Sequence, residues 1–222
     1  MSATASKKRR TQEERSREMR ARLVEAAADC LIEEGYSNAS VSRIVERAGV
    51  SRGAHLHHFP SKDLLIKAVC EDILKKIFRN AGKNALSAER PEDRFERLVR
   101  YWWDDVVYSR DGRLLLELMN AARTDEALAS HLRPVAIKAL RLFMHAGAHY
   151  FEPTDPKGPS VSELLHLVQW SLRGMLLDDP IVEQTAFFDK HIDALIALVG
   201  SRLVARKVSG PPPRIGDWKG EA

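Results

Sequence analysis

The stretch AGVSRGAHLHHFPSKDLL, residues 48–65, decides the fold. Gly49 suits the left-handed end of a helix, and Val50 supplies an apolar plug just after it. Ser51 offers an N-cap to a short helix running to Phe59, which Pro60 stops. Ser61 caps the next helix, with Leu65, Ala68, Val69, Ile73 and Ile77 along its inner face. Upstream, Ser40 caps another short helix whose apolar face is Val41, Ile44, Val45 and Ala48. Two short helices joined by a tight turn form a helix-turn-helix. The first braces the second, and the second fits a DNA major groove about 12 Å wide.

The residue types suit that use. Arg52 can donate two hydrogen bonds to a guanine edge or grip a phosphate. Gly53 and Ala54 lack bulk, so backbone and bases can approach, and Ala54 can touch a thymine methyl. His55 can donate or accept at a base edge. His58 and Lys62 lie at the far end, where phosphate contact is expected. Ser40, Ser42 and Arg43 open the bracing helix, whose terminal amides favour a phosphate. Val41, Ile44, Val45, Ala48, Val50 and Phe59 are read as core. Leu56 is read as core ahead of a thymine-methyl contact.

Further out, Leu23, Ala26, Ala27, Cys30 and Leu31 mark one face of a helix over 13–34, with Gly35 as its stop. Beyond 80, helices are expected at 91–109, 111–122, 125–151, 161–178 and 184–206. Breaks fall at Pro91, Asp111–Gly112, residues 152–160 and Asp178–Asp179–Pro180, and Pro134 predicts a kink or split. No alternating β-branched run reads as a strand. The expected fold is all-α, with about nine helices. It divides into a basic disordered arm (1–12), a three-helix helix-turn-helix domain (13–62), a larger helical domain (63–207) and a loose tail (208–222).

Composition agrees. The chain has 222 residues, 44% hydrophobic and 30% charged, which excludes wholesale disorder. No run of about 20 apolar residues exists to span a bilayer, and no membrane role is expected. The basic start has no apolar stretch and does not read as a secretory signal. Two cysteines make no disulfide framework, so a reducing cytoplasm is expected. Residues 1–62 hold twelve Lys and Arg against eight Asp and Glu, so the whole net charge of +4 falls in that segment. A basic end on a neutral body points to a polyanion partner.

The 48–65 run resembles the signature of the tetracycline-repressor (TetR) family of bacterial transcription regulators. Ala48, Gly49, Val50, Ser51, Gly53, Phe59 and Lys62 match it, and Ala26, Gly35, Ser40, Val41 and Ile44 fit upstream. The resemblance covers about residues 18–70. One departure matters: the family usually has a phosphate-contacting Tyr where this chain has Leu56, and His57 and His58 are expected to take over part of that role. The resemblance implies a repressor that binds a palindromic operator in double-stranded DNA as a homodimer and is released by a small, partly hydrophobic effector. A route of release is expected, in which effector among the central helices moves the helix at 61–80 and so swings the 41–59 pair.

The second domain permits these roles. Residues 101–103 read Tyr-Trp-Trp. Successive residues point about 100° apart on a helix, so these rings cannot share one core, and at least one meets a cavity, another surface or solvent. Trp102, Trp103, Met119, Phe143, His145, His149, His166 and Trp170 are candidate effector contacts, though each also suits an ordinary core. Leu164, Leu167, Val168, Ser171, Leu172 and Met175 form one broad apolar surface, and Ile192, Leu195, Ile196 and Val199 another. Both are expected at a dimer interface, with burial inside one monomer as the other option.

No catalytic residues, cofactor or metal are expected. There is no Gly-rich phosphate loop and no Gly-x-Ser-x-Gly elbow. His145 and His149 are spaced i, i+4 as metal ligands can be, but no Glu lies between them and no third ligand is evident. The rival reading is a small-molecule- or metal-binding protein or enzyme whose helix-turn-helix is only structural.

Overall fold

A computed structural model describes residues 11–182, 185–208 and 210–212. The chain forms two compact units that part between Cys70 and Glu71. The boundary lies inside a helix, eight residues beyond the expected one. Residues 1–10 of the expected arm lie outside the described residues, as do 209 and 213–222 of the expected tail.

The first unit begins with α1 (Gln12–Asn38). Thr11 Oγ1 accepts from the Glu14 amide at 3.2 Å while Glu14 Oε2 accepts from the Thr11 amide at 2.8 Å, a reciprocal cap. The expected stripe Leu23, Ala26, Ala27, Cys30 and Leu31 is buried. Gly35 interrupts the helix at φ 76°, and one further turn carries it to Asn38. α2 (Val41–Ala48) and α3 (Arg52–His58) follow, then α4 (Lys62–Leu86), which carries the chain into the second unit. Leu23, Leu31, Ile44, Leu65 and Ile66 are fully buried in the first unit's core.

The second unit holds α5 (Arg94–Tyr101), α6 (Arg110–Ala121), α7 (Glu126–Tyr150), α8 (Val161–Asp178) and α9 (Thr185–Gly200). The single helix expected over 91–109 is instead three pieces: a 3₁₀ turn at Pro91–Asp93, α5, and a π-helical segment at Trp102–Val107. The π segment corrects the reading of the aromatic triplet. All three rings are buried, because the segment is enclosed on several sides. Tyr101 donates to the Ile77 carbonyl of α4, Trp102 lies 4.8 Å from the Phe143 ring of α7, and Trp103 lies 5.4 Å from Phe188 of α9.

Three other expectations change. Gly112 does not break the chain. It sits in the first turn of α6, where its amide bonds the Ser109 cap, and a Cβ there would stand 1.9 Å from the Val106 carbonyl oxygen. α7 runs unsplit through Pro134. The segment expected as helix to 206 ends at Gly200, and Leu203–Ala205 (β2) pairs antiparallel with Phe151–Pro153 (β1), Phe151 opposite Ala205. Strands of three residues are too short to show alternation. Arg94, buried against the Tyr150 ring, donates to the Ala85 and Arg206 carbonyls and so fastens α4 and the residue following β2 to α5.

Candidate nucleic-acid interface

The turn between α2 and α3 is built from its caps. Ser40 Oγ accepts from the Arg43 amide at 3.3 Å, and Ser51 Oγ accepts from the Ala54 amide at 3.2 Å. Gly49 closes α2 at φ 60°, a conformation that disfavours any side chain, and the Val50 amide returns to the Val45 carbonyl. Arg22 of α1 donates to the Ala48 and Gly49 carbonyls, capping the negative end of α2 from outside. Sequence reasoning missed this latch, since no local pattern pairs residues 26 apart.

α3 then has two sides. Arg52, Gly53, Leu56 and His57 recur at i, i+1, i+4 and i+5 and are exposed; Ala54 and His58 are half-buried. Arg52 has no hydrogen bond or ion pair among the described residues, so its guanidinium is available. Ser40, Ser42 and Arg43 are exposed at the start of α2. Arg43 holds Glu34 at 2.9 Å, the arginine exposed and the Glu34 side chain largely buried.

Three residues depart from expectation. His55 cannot reach a base edge, because it is 1% exposed on the inner side of α3, with both ring nitrogens unpartnered. Burial pushes its pKa down, and the Arg52 charge adds to the shift. Leu56 is not core: it is 54% exposed beside Arg52. Lys62 is drawn inward, donating to the Tyr36 carbonyl at 2.7 Å with its ammonium 4.4 Å from the Tyr36 ring centre, so it ties α4 to α1. His57 and His58 lie 5.2 Å apart, and burial, then His57 and Arg20, lower the His58 pKa.

In the second unit the candidate effector residues separate. Trp102, Trp103 and Phe143 are buried, and His166 packs 5.0 Å from Phe143. Met119 and Trp170 are exposed, which removes them from any interior site. His149 Nε2 donates to the Gly210 carbonyl at 2.9 Å, so that nitrogen is committed, and His145 is half-buried. Among the described residues no group of three or more His, Cys, Asp or Glu is placed to hold a metal. No helix there is long and apolar enough to cross a membrane.

Most of the dimer candidates on α8 and α9 face the unit's own core. Leu164, Val168, Leu172, Ile192 and Val199 are buried in the unit's own core, and Met175, Leu195 and Ile196 pack against it. Leu167 is exposed, and Ser171 is half-exposed with its hydroxyl returned to the Leu167 carbonyl. The outward stripe is Leu167, Trp170 (62% exposed), Gly174 and Leu177 on α8, and Phe187, His191, Ala194 and Leu198 (71%) on α9. Both helices carry apolar residues on the outer as well as the inner side, so periodicity alone does not separate the two.

The helix-turn-helix region matches known regulators. The family model for bacterial regulatory proteins of the tetR family matches residues 23–69, which span α2, α3 and the turn between them. An uncharacterized HTH-type transcriptional regulator of Mycobacterium tuberculosis (strain ATCC 25618 / H37Rv) is 37% identical over 131 residues, covering 57% of this chain and 64% of its own length. The match thus spans under two thirds of that relative. The HTH-type transcriptional repressor AcnR of Corynebacterium efficiens is 32% identical over 174 residues, covering 69% of this chain and 92% of AcnR. The crystal structure of a transcriptional regulator from Rhodococcus sp. Rha1 superposes with a TM-score of 0.65 over 81% of this chain and 95% of its own, at 22% identity, which speaks for the fold. The chain belongs to the TetR family of bacterial regulatory proteins.

Proposed function

We propose that the chain is a sequence-specific DNA-binding transcriptional regulator, a repressor that binds a palindromic operator as a homodimer and is released by a small molecule. One observation carries the reading. α3 turns Arg52, Gly53, Leu56 and His57 outward as a set, on a helix fixed from beneath by His55 and Phe59. Small and donor residues on an outward face let a helix lie close against base edges. Ser40, Ser42 and Arg43 suit phosphates beside it, positioning the helix without reading sequence. Leu56 stands where the family's phosphate-contacting Tyr usually lies. It brings a methyl-bearing apolar tip to the groove, which suits a thymine methyl, while His57 and His58 take the polar part of that role.

A homodimer is supported by the outward apolar stripe of α8 and α9. Contiguous exposed apolar surface of that kind is costly on a monomer and marks an association face. A two-fold axis then sets two copies of α3 on half-sites about 34 Å apart or a multiple of that. Trp102, Trp103, Phe143 and His166 support an effector site in the second unit, and α4, shared by both units, is the chain path through which effector binding changes operator affinity. Cys30 and Cys70 are both free and buried, in keeping with work in a reducing cytoplasm.

Selection of bound duplexes from a random pool tests the reading. A palindromic consensus is expected, and no enriched sequence at low salt overturns both the DNA role and the dimer.

A further inference from the structure

Among the described residues, Arg43 and Arg47 of α2 both pair with carboxylates of α1, and the two pairs are built oppositely. Arg47 pairs with Glu33, whose side chain is 54% exposed, so water serves that carboxylate when the pair opens. In the other pair the arginine side chain is 65% exposed and the Glu34 side chain only 15%. Arg43 Nε meets Glu34 Oε1 at 2.9 Å, while Glu34 Oε2 is fully buried with no hydrogen-bond partner among the described residues.

The consequence is that Arg43 is held from the protein side. If it swings away, a largely buried carboxylate keeps its charge with neither oxygen served, which is strongly unfavourable. The hold uses Nε–H, one of the five donors of a guanidinium. The Nη donors have no hydrogen bond among the described residues. They belong to an exposed side chain on the first turn of α2, whose own amide bonds the Ser40 cap. An arginine held in this way offers its planar fork in one direction, without the ordering cost that a free side chain meets on binding.

A phosphate in that direction meets the Nη donors with Glu34 still satisfied. A phosphate elsewhere is reached only by leaving Glu34. We propose that Glu34 is a positioning residue that determines specificity: it fixes Arg43 for the phosphate of one docking register and penalises the registers in which the arginine must move. Glu34 itself touches no DNA. Its carboxylate repels phosphates in every register alike, so its effect on discrimination runs through Arg43. This rests on the reading of the chain as a regulator that binds an operator.

Glu34→Gln in the full chain keeps the side chain's size and removes its charge. Fluorescence anisotropy should compare a selected operator with a scrambled duplex of equal length. Scrambled binding should tighten about fivefold, while operator binding changes by less than about twofold. The salt slope on the scrambled duplex should steepen by about one, the mark of one freed phosphate contact. Equal tightening on both duplexes, as loss of a repelling charge alone gives, overturns the proposal. So does equal weakening on both with a lower melting temperature, which marks a purely structural role. Adding Glu34→Gln to Arg43→Gln should leave the operator-to-scrambled ratio unchanged, and a full-sized fall there overturns the proposal. A readout without DNA stands beside these. The 15N Nε–H resonance of Arg43, identified by its loss in Arg43→Lys, should lie apart from those of solvated arginines and join them in Glu34→Gln. A resonance among the solvated arginines in the natural chain overturns the held pair. A natural chain that prefers no selected duplex removes the regulator reading and this role with it. A preference that survives Glu34→Gln undiminished removes this role alone.

Discussion

α3 in the first unit and the α8–α9 pair in the second both present an ordered outer face, but of opposite chemistry. α3 turns out an arginine, a glycine, one leucine and a histidine, whereas α8 and α9 turn out Leu167, Trp170, Leu177, Phe187 and Leu198. The first kind of face can exchange its water for phosphates and base edges. The second gains only by meeting another apolar surface, where a large aromatic such as Trp170 is the kind of side chain that anchors an interface. The same contrast recurs across α8 itself, where Leu172 is buried and Leu167 is 51% exposed five residues away.

That contrast is open to direct attack. The largest effect is expected inside α8. Leu172→Ala should cost about 2–5 kcal/mol of unfolding free energy by denaturant titration, the usual price of truncating a fully buried leucine. Leu167→Ala should cost well under that in the same protein held monomeric. Equal losses at the two positions would erase the distinction between inner and outer stripe. The next effect concerns association. Trp170→Glu or Leu198→Asp should shift sedimentation from dimer to monomer, weakening association by about 2 kcal/mol or more, with the helical signal unchanged. A dimer that persists at micromolar concentration would place the partner elsewhere.

A third prediction concerns His55. Its folded pKa lies below its ordinary value of 6.5, through burial first and Arg52 second. The unfolded chain therefore takes up this proton at a higher pH than the folded chain. Stability from the neutral buried ring is fully present above pH 6.5 and is lost as the pH falls through that value toward the folded pKa. The contribution approaches about 1.4 kcal/mol per pH unit within that window. His55→Leu should flatten that part of the stability–pH profile. An unchanged slope would mean that His55 is not held neutral. The smallest effect is at the turn: Gly49→Ala should cost about 1 kcal/mol, because φ 60° disfavours a Cβ. No loss there would mean the turn relaxes.

Much of the first unit was legible because its signals are local. Ser40, Gly49, Ser51 and Pro60 delimit two helices of seven and eight residues, and each apolar position has one small core to fill. What misled was the chemistry of single residues. His55 looked like a base contact and Leu56 like core, and the structure reverses them, because helix phase and not hydropathy sets which side faces in. The second unit was less legible for a related reason. Helices with apolar residues on several sides leave phase undetermined, so in the sequence Leu164, Val168, Leu172, Ile192 and Val199 suit a dimer face and a monomer core alike, and only tertiary packing decides. The aromatic triplet misled because the expectation assumed one core on one side, whereas three neighbouring helices each receive a ring.

The central claim is that the outward face of α3 reads DNA sequence, and Arg52 tests it most directly. Fluorescence anisotropy should compare the Arg52→Ala variant with the natural chain on a selected operator and on a scrambled duplex of the same length. Specific binding should fall by about 1–3 kcal/mol while binding to the scrambled duplex and the melting temperature stay nearly unchanged. Equal affinity of the two chains for the operator would contradict the account.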